Sequence, residues 1–261
     1  MKLAWRAIVL AAGRGPDDPM AKAFGVVHKC LLPVGGVAML KRVIDALAAT
    51  KGIDGIAISI DDSNAADQAL GEGATRVSYL APQSSAPASA KAGADGGSFP
   101  LLITTGDHAL LTREMICFFC GEAEASGADF CAGLATAETI LAAYPETRRT
   151  FFSFGRDRVS GCNLFAVMTP AGLKVLERWQ YLDQLRKKPW RLVLAFGLGP
   201  LIKFALGRLS LADAFRTASS KLGIFAKPVL MPFAEAAIDV DKPADKELVE
   251  MILRQSQPAT K

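Results

Sequence analysis

The stretch AIVLAAGRG, residues 7–15, decides which fold the chain is expected to adopt. A short aliphatic run that stops at glycine is typical of a buried strand, since a helix needs a longer run. Glycines let the backbone approach a ligand closely, and the exposed amides of such a turn suit phosphate oxygens. The stretch therefore predicts a strand over residues 7–12 and then an anion-binding turn, although an ordinary tight turn fits the same residues.

Strand and helix patterns alternate through the first half of the chain. Apolar runs predict further strands over residues 55–60, 76–80, 101–107 and 129–135. Helical patterns fall between them, over residues 38–50, 64–71 and 115–126. Such alternation is typical of a mostly parallel sheet covered on both faces. We therefore expect a three-layer α/β/α sandwich with a Rossmann-like sheet, built as a single domain over 1–261, with 171–228 as a helical lid or subdomain.

The composition narrows the functional classes. The 261 residues are 51% apolar and 21% charged, which is enough apolar material for a sizeable core. The net charge of +4 suits small anionic substrates or an anionic membrane surface, and it is too weak to indicate nucleic acid. Arg6 interrupts the first apolar run, so the N-terminus does not read as a signal peptide. The chain has five cysteines, an odd number. Together with the N-terminus that does not read as a signal peptide, this number favours a reducing, cytoplasmic setting.

Four charged side chains lie where a phosphate or metal site would need them. Lys29 precedes a Pro-Val-Gly-Gly turn, where its ammonium would neutralise a triphosphate as a point charge. Asp107 ends an apolar strand, a position that suits Mg²⁺ but also suits a turn or helix-capping residue. Asp239 and Asp241 are two residues apart and share a face if that segment is extended.

These motifs, taken in order, resemble a known superfamily. AIVLAAGRG, Lys29 in HKCLLPVGG, LLITTGDHALLT and IDVDKPAD follow one another as they do in GT-A-type nucleotidyltransferases. The chain looks most like the MobA-like NTP transferases over residues 5–135, and locally over 228–252. The resemblance implies Mg²⁺-dependent transfer of an NMP group from an NTP to a small phosphorylated or hydroxylated acceptor, with release of pyrophosphate.

The resemblance also assigns roles to residues of the first turn. It implies that Ala11, Ala12 and Gly13 face the base and ribose, and that the amides around Arg14 and Gly15 face the phosphates. Many members carry a Thr-Arg pair in this loop, which this chain lacks. We expect Arg14 or Lys22 to substitute for that arginine; a guanidinium is always charged and forks onto phosphate oxygens.

The metal and base contacts follow from the same resemblance. It implies that Lys29 steadies the phosphates, that Asp107 holds Mg²⁺ and that Asp239 or Asp241 completes the metal site. In related cytidylyltransferases a small hydroxyl residue opens the helix after the third strand and meets the nucleotide. Ser89 matches that position, which favours CTP over GTP. Residues 82–98, rich in Ser, Ala, Pro and Gly, are then a base-binding loop or else a mobile surface loop.

Residues 145–163 are the expected acceptor side. Arg149, with other arginines of this stretch, would receive an acceptor phosphate, and Asn163 would contact the acceptor as an Asn does in sugar-phosphate nucleotidyltransferases. A solvated hairpin fits the same residues.

Residues 186–211 combine basic side chains with an uncharged, mostly apolar run that is short for a membrane span. They would form a peripheral contact with the inner face of the membrane, or a buried lid or homodimer helix pair.

Two other functions remain open at this stage. A glycosyltransferase of the same fold is one, although TGDHA lacks the second aspartate that such enzymes typically use for their metal. A non-catalytic nucleotide-binding or membrane-docking relative is the other, because the phosphate loop departs from the family pattern.

Overall fold

The computed structural model describes residues 1–261 except 14, 16, 72–76, 148, 186–198, 200, 201, 204, 205 and 257–261. Its strands are β1 Trp5–Leu10, β2 Pro33–Val34, β3 Val37–Ala38, β4 Ile53–Ser59, β5 Ser78–Leu80, β6 Leu101–Thr105, β7 Phe130–Thr136, β8 Phe152–Phe154, β9 Asp157–Val167 and β10 Ala226–Leu230. Its α-helices are α1 Pro19–Phe24, α2 Met39–Ala48, α3 Ser63–Leu70, α4 Ala86–Ala94, α5 Arg113–Ser126, α6 Ala137–Ala143, α7 Leu173–Leu185, α8 Leu211–Leu222 and α9 Pro243–Ser256.

A central sheet of eight described strands organises the molecule. Its order is β10-β7-β9-β6-β1-β4-β5, with β8 paired to β9. β1 runs parallel to β4 and β6, as β4 does to β5 and β10 to β7. β9 is antiparallel to β6, β7 and β8. The prediction of a mostly parallel sheet is confirmed, with β9 as the reversed strand.

Helices cover both faces of this sheet, as predicted. On one face, Val9 and Leu102 join a core with α2, α3 and α5. On the other face, Ile8 and Ile103 join a second core with α4 and α7. Neighbouring residues of one strand enter opposite cores because side chains alternate across a pleated sheet. Both cores are apolar, which is why residues 7–10 of β1 and 101–103 of β6 are unbroken apolar runs.

Within residues 82–98, where a base-binding loop or a mobile surface loop was expected, Ala86–Ala94 form helix α4. Ser85 caps α4 by accepting the N–H of Ala88, and Pro87 lies in its first turn. The prediction that Ser89 opens this helix is therefore wrong. Small residues let α4 lie close to β1: a Cβ on Gly93 would come within 2.6 Å of Ile8 Cδ1.

The second half of the chain completes the second face and one edge of the sheet. α7 packs against α4, and α8 packs against the edge strand β10. Most of residues 186–211 lie outside the described part, so the predicted lid, homodimer and membrane contact stay predictions. In the part of the chain that the structure describes, no helix is long and apolar enough to span a membrane.

Gly172 provides a test of the packing where α7 begins. A Cβ there would lie 2.2 Å from the carbonyl oxygen of Asp129, and the backbone has no flexible side chain to move aside. We expect Gly172→Ala to lower the free energy of unfolding by about 1–3 kcal/mol. Urea denaturation measures this change.

Gly121 in α5 is the matched control, because nothing lies within 4 Å of a Cβ built there. Gly121→Ala should raise the free energy of unfolding by about 0.5–1 kcal/mol. Equal stability of the two variants would contradict the packing described for Gly172.

Candidate active site

A pocket opens where the carboxyl ends of β1 and β6 meet, the edge at which ligands bind in open α/β sheets. The two strands pair in parallel register from Arg6 with Leu101 to Leu10 with Thr105. The residues that follow them face the same opening, as predicted for the turn after β1 and for Asp107. The pocket is lined by Leu10, Ala11, Ala12, Asp18, Lys29, Cys30, Met39, Gly106, Asp107 and Asp241.

The floor of this pocket is made from very small residues. Gly106 N–H donates to the carbonyl of Leu10 at 2.9 Å, which fastens the two strand ends together. A Cβ on Gly106 would lie 2.9 Å from the Cβ of Ala11. The space above Ala11 and Ala12, both predicted nucleotide contacts, exists because neither strand end carries a larger side chain.

Lys29 joins the two predicted metal-site carboxylates that line the pocket. Its Nζ lies 2.6 Å from Oδ2 of Asp107 and 3.0 Å from Oδ1 of Asp241. Burial by itself lowers the pKa of Lys29, but the two carboxylates outweigh burial and raise it above its ordinary value. The ammonium therefore stays charged and holds the two carboxylates on one centre.

The backbone brings the late acidic segment to the end of β6. Val240 N–H donates to the carbonyl of Asp107 at 3.2 Å. Ile238 and Val240 are buried in a core cluster, whereas Asp239 and Asp241 line a common pocket. The predicted alternation of an extended segment thus places both carboxylates at the site.

Asp239 belongs to a separate, internally neutral pair. Its Oδ1 lies 2.5 Å from Nη1 of Arg149, and its Oδ2 accepts Nδ2 of Asn163 at 2.8 Å. Burial raises the pKa of Asp239, but Arg149 and Asn163 outweigh it, so the pKa lies below its ordinary value. Because both oxygens are engaged, Asp239 is less open to a metal than Asp107 or Asp241.

Asn163 reaches Asp239 from a bulge in β9. Ala132 pairs with Phe165 and Leu134 with Gly161, so residues 162–164 of β9 face a single residue of β7. Asn163 adopts φ 49°, the one positive φ outside glycine in the described residues. Bulges and left-handed residues re-aim side chains at functional sites. No sequence pattern used above predicts this bulge.

The turn after β1 is held by two residues that sequence reasoning missed. Gly13 N–H donates to Oδ1 of Asp61 at 2.7 Å, and Nε2 of His28 lies 3.2 Å from the same oxygen. Nδ1 of His28 accepts the N–H of Cys30, which starts the turn carrying Lys29. Burial raises the pKa of Asp61, but the bonds from Gly13 and His28 outweigh it and lower the pKa. Asp61 directly follows the apolar run of β4, the same signal that pointed to Asp107.

The remaining predicted nucleotide contacts have different surroundings. Arg14 lies outside the described residues, and the exposed Gly15 has φ 76°. Asp18, which was not a predicted contact, lies in the same loop and is buried because it caps α1, accepting the N–H groups of Met20 and Ala21. Ser89 is buried in α4, where its Oγ accepts the N–H of Gln83 at 2.8 Å. The hydroxyl of Ser89 therefore shapes the loop between β5 and α4.

The carboxylates suit a hard cation such as Mg²⁺. Asp107 Oδ1 is buried and has no hydrogen-bond partner in the described residues, while Lys29 occupies the place of a cation between Asp107 and Asp241. No cluster of three His, Cys, Asp or Glu side chains able to hold a metal occurs in the described residues. A cation here would take few protein ligands, which is usual for Mg²⁺ with phosphates and water.

His108 lies beneath the site as an uncharged residue. It is 1% exposed, and neither ring nitrogen has a hydrogen-bond partner in the described residues. Burial lowers its pKa to about 4, against the smaller raising effects of Asp239 and Asp107. A neutral imidazole adds no charge to a site that already contains several charged side chains.

Comparison with known proteins identifies the class. The chain resembles a solved structure titled as a hypothetical transferase from Thermus thermophilus, with 28% identity, a TM-score of 0.79, and coverage of 94% of this chain and 100% of that one. The model of the MobA-like NTP transferase domain matches residues 7–187. The chain therefore belongs to the MobA-like NTP transferase family, as the motifs predicted.

More distant structures share the fold. A 4-diphosphocytidyl-2C-methyl-D-erythritol synthase from Anaerococcus prevotii has 14% identity and a TM-score of 0.60, with 97% of this chain and 99% of that one covered. A CMP:2-keto-3-deoxy-manno-octonic acid synthetase complexed with CTP has 14% identity and a TM-score of 0.56, with 98% and 100% covered. A search of curated proteins found no match.

The buried His108 should make stability depend on pH. Its pKa is about 4 in the folded chain and 6.5 in a model peptide, so unfolding between these values takes up a proton. The free energy of unfolding should therefore fall as the pH drops from 6.5 to 4, by about 3 kcal/mol from this residue. Urea denaturation with a chelator across this range measures the slope.

The His108→Gln variant should lose that part of the slope, and His28→Gln, at the other histidine of the chain, should keep it. The same slope in the His108 variant as in the unsubstituted chain would contradict the assignment.

The backbone at Asn163 predicts an inverted preference between glycine and alanine. Both variants lose the hydrogen bond to Asp239, but alanine also meets the strain of a left-handed backbone. Asn163→Ala should therefore be less stable than Asn163→Gly by about 1 kcal/mol in urea denaturation. At Cys162, whose backbone is not left-handed, the alanine variant should be the more stable one. If the alanine variant were the more stable one at position 163 as well as at position 162, the bulge would be contradicted.

Proposed function

We propose that this chain transfers an NMP group from an NTP to a small acceptor, with release of pyrophosphate. The observation that carries the proposal is the position of Lys29 between Asp107 and Asp241. These groups meet at the carboxyl edge of the sheet, where the small residues of the pocket floor leave space for a nucleotide. The chain also belongs to the MobA-like NTP transferase family.

Asp107 and Asp241 would hold Mg²⁺ in this proposal, because both offer hard oxygens around one cation position. Magnesium, when bound, supplies positive charge to the α-phosphate and orients it. Lys29, displaced from the carboxylates, would then place its ammonium on the phosphates. Arg149 and Asn163 would keep Asp239 ionised and fixed beside them.

The chemistry asks for positioning and charge neutralisation more than for proton transfer. An acceptor oxygen forms a bond to the α-phosphorus while the bond from that phosphorus to pyrophosphate breaks. An acceptor phosphate is already an anion, so no general base is needed. The neutral His108 and the raised pKa of Lys29 agree with a site whose residues hold charge in place.

CTP is the favoured nucleotide in this proposal. Ser89 supports it, because the resemblance to cytidylyltransferases gives this helix a small hydroxyl residue and the Oγ of Ser89 organises the loop at Gln83. Two structures that share the fold also carry cytidyl chemistry in their titles, one as a diphosphocytidyl synthase and one as a CTP complex. The turn after β1, held at Gly13, and the loop after β5, held at Gln83, would then be the places where base selectivity is set.

A thermal-shift panel of CTP, GTP, ATP and UTP, each with and without Mg²⁺, tests the proposal. At a hundredfold excess over Kd, a ligand stabilises the native state by about 2.7 kcal/mol, which raises Tm by about 5–10 °C in a chain of this size. We expect one nucleotide, CTP, to give a Mg²⁺-dependent rise that Asp107→Asn abolishes. The control is Asp45→Asn, which removes a helical surface carboxylate paired with Lys41.

Lys29→Met separates the two roles of this lysine. The variant should lose the nucleotide-dependent rise in Tm because the phosphates lose a cation. Mg²⁺ by itself should stabilise the variant more than the unsubstituted chain, since two carboxylates have lost their counter-ion.

If no nucleotide shifts the Tm of the unsubstituted chain, the proposal is overturned. Nucleotide binding without pyrophosphate release over a broad acceptor panel would indicate a binding protein, and release of UDP or GDP from a nucleotide sugar would indicate a glycosyltransferase.

A further inference from the structure

His28 lies between two turns beside the pocket at the ends of β1 and β6. It is 7% exposed and directly precedes Lys29. The turn after β1 lies on one side of the imidazole, where a Cβ on Gly13 would come 2.8 Å from Nε2 of His28. On the other side begins the turn Lys29–Leu31, for which His28 is the capping residue. The ring therefore contacts both of the turns that the proposed function places against the nucleotide.

The hydrogen bonds of His28 select one tautomer. A backbone N–H can only donate, so the N–H of Cys30, 3.1 Å from Nδ1, requires that Nδ1 carries no proton. In the neutral ring the proton is then on Nε2, which lies 3.2 Å from Oδ1 of Asp61 and donates to it. The same oxygen accepts the N–H of Gly13 at 2.7 Å. One chain of hydrogen bonds thus runs from the amide of Gly13 through Asp61 and His28 to the amide of Cys30.

This chain of hydrogen bonds holds the backbone beside Lys29 independently of the partners of its ammonium group. Nζ of Lys29 bonds to Asp107 and Asp241, and the proposed function transfers this ammonium to the phosphates. Residues 14–27 separate the two turns along the sequence, so a direct link between the turns depends on side chains. Groups that are already held in place lose less conformational entropy when a ligand binds. The link through His28 and Asp61 supplies this preorganisation.

We propose that neutral His28, with its proton on Nε2, is a positioning residue for nucleotide binding. It joins the turn after β1 to the turn Lys29–Leu31 through the carboxylate of Asp61. This inference rests on the proposed function and adds a residue that the sequence motifs did not single out. His28 acts through Gly13 and Lys29, whose backbone separation it keeps constant while the Lys29 side chain changes partners.

Two conservative variants separate the two hydrogen bonds of His28. Asparagine at this position offers an acceptor in the place of Nδ1, and asparagine is a favoured capping residue, but its side chain is too short to reach Asp61. Glutamine extends further and offers an amide donor to Asp61, but it has no equivalent of Nδ1. His28→Asn therefore breaks the link and keeps the cap, whereas His28→Gln keeps the link and loses the cap.

Titration calorimetry on the full chain measures Kd for CTP, GTP, ATP and UTP, each with Mg²⁺. For a nucleotide that the unsubstituted chain binds, His28→Asn should raise Kd about tenfold, because a hydrogen bond to a carboxylate is lost. His28→Gln should raise Kd at most about threefold.

Thr169→Val is the matched control. Oγ1 of Thr169 donates to Oδ1 of Asp129, whose other oxygen accepts the N–H of Phe225. A carboxylate thus again links a side-chain donor to a backbone amide, but Asp129 precedes β7 and lies at the amino edge of the sheet. This variant should leave Kd unchanged.

Two further measurements distinguish a link between the turns from a general contribution to stability. In Asp61→Ala the link is already broken, so adding His28→Asn should raise Kd at most about twofold further. The chain has two histidines, so the imidazole ¹⁵N signals that remain in His108→Gln belong to His28. At neutral pH they should show a protonated Nε2 and an unprotonated Nδ1.

Failure of this inference is distinguishable from failure of the proposed function. If His28→Asn binds nucleotide as tightly as the unsubstituted chain, or more tightly than His28→Gln, His28 only caps its turn and the positioning role is overturned. A proton on Nδ1, or a full tenfold effect of His28→Asn in Asp61→Ala, also overturns the role. The proposed function stands in each of these cases. If the unsubstituted chain binds no nucleotide, the proposed function fails and the positioning role fails with it.

Discussion

One ammonium group holds together three parts of the chain that are distant in sequence. Lys29 bonds to Asp107, 78 residues away, and to Asp241, 212 residues away. Without a cation, two carboxylates that contact the same ammonium group would repel each other. The shape of the pocket at the ends of β1 and β6 is therefore set by charge pairing, and the apolar cores bring those strand ends together.

The other ionisable groups near the site are also either paired or uncharged. Asp239 has its own cation in Arg149 and an amide in Asn163, so it does not compete for Lys29. His108, between these pairs, stays neutral because burial disfavours its charged form. Asp61 is occupied by a backbone N–H and His28. Each carboxylate near the site thus has a named partner, which fixes side chains that solvent would otherwise leave mobile.

Much of this arrangement could be predicted from local sequence, and the rest could not for identifiable reasons. Asp107 was found because an unbroken apolar run ending in a polar residue marks a buried parallel strand. Asp61 gives the same signal after β4 but was not interpreted as part of the site. The residue pattern did not predict helix α4, because its alanines, serines and glycines carry little periodic hydrophobicity; only the resemblance implied a helix at Ser89. The pairing of Arg149 with Asp239 joins residues far apart in sequence, and the bulge at Asn163 depends on the register of β9 against β7; neither leaves a local pattern.

The contact between Ala11 and the backbone of Gly106 has a consequence for how the family can vary. Because a Cβ at position 106 would touch the Cβ at position 11, the tolerated residue at either site depends on its neighbour across the strands. We therefore expect the residues at positions 11 and 106 to change together among members of the family, or not to change.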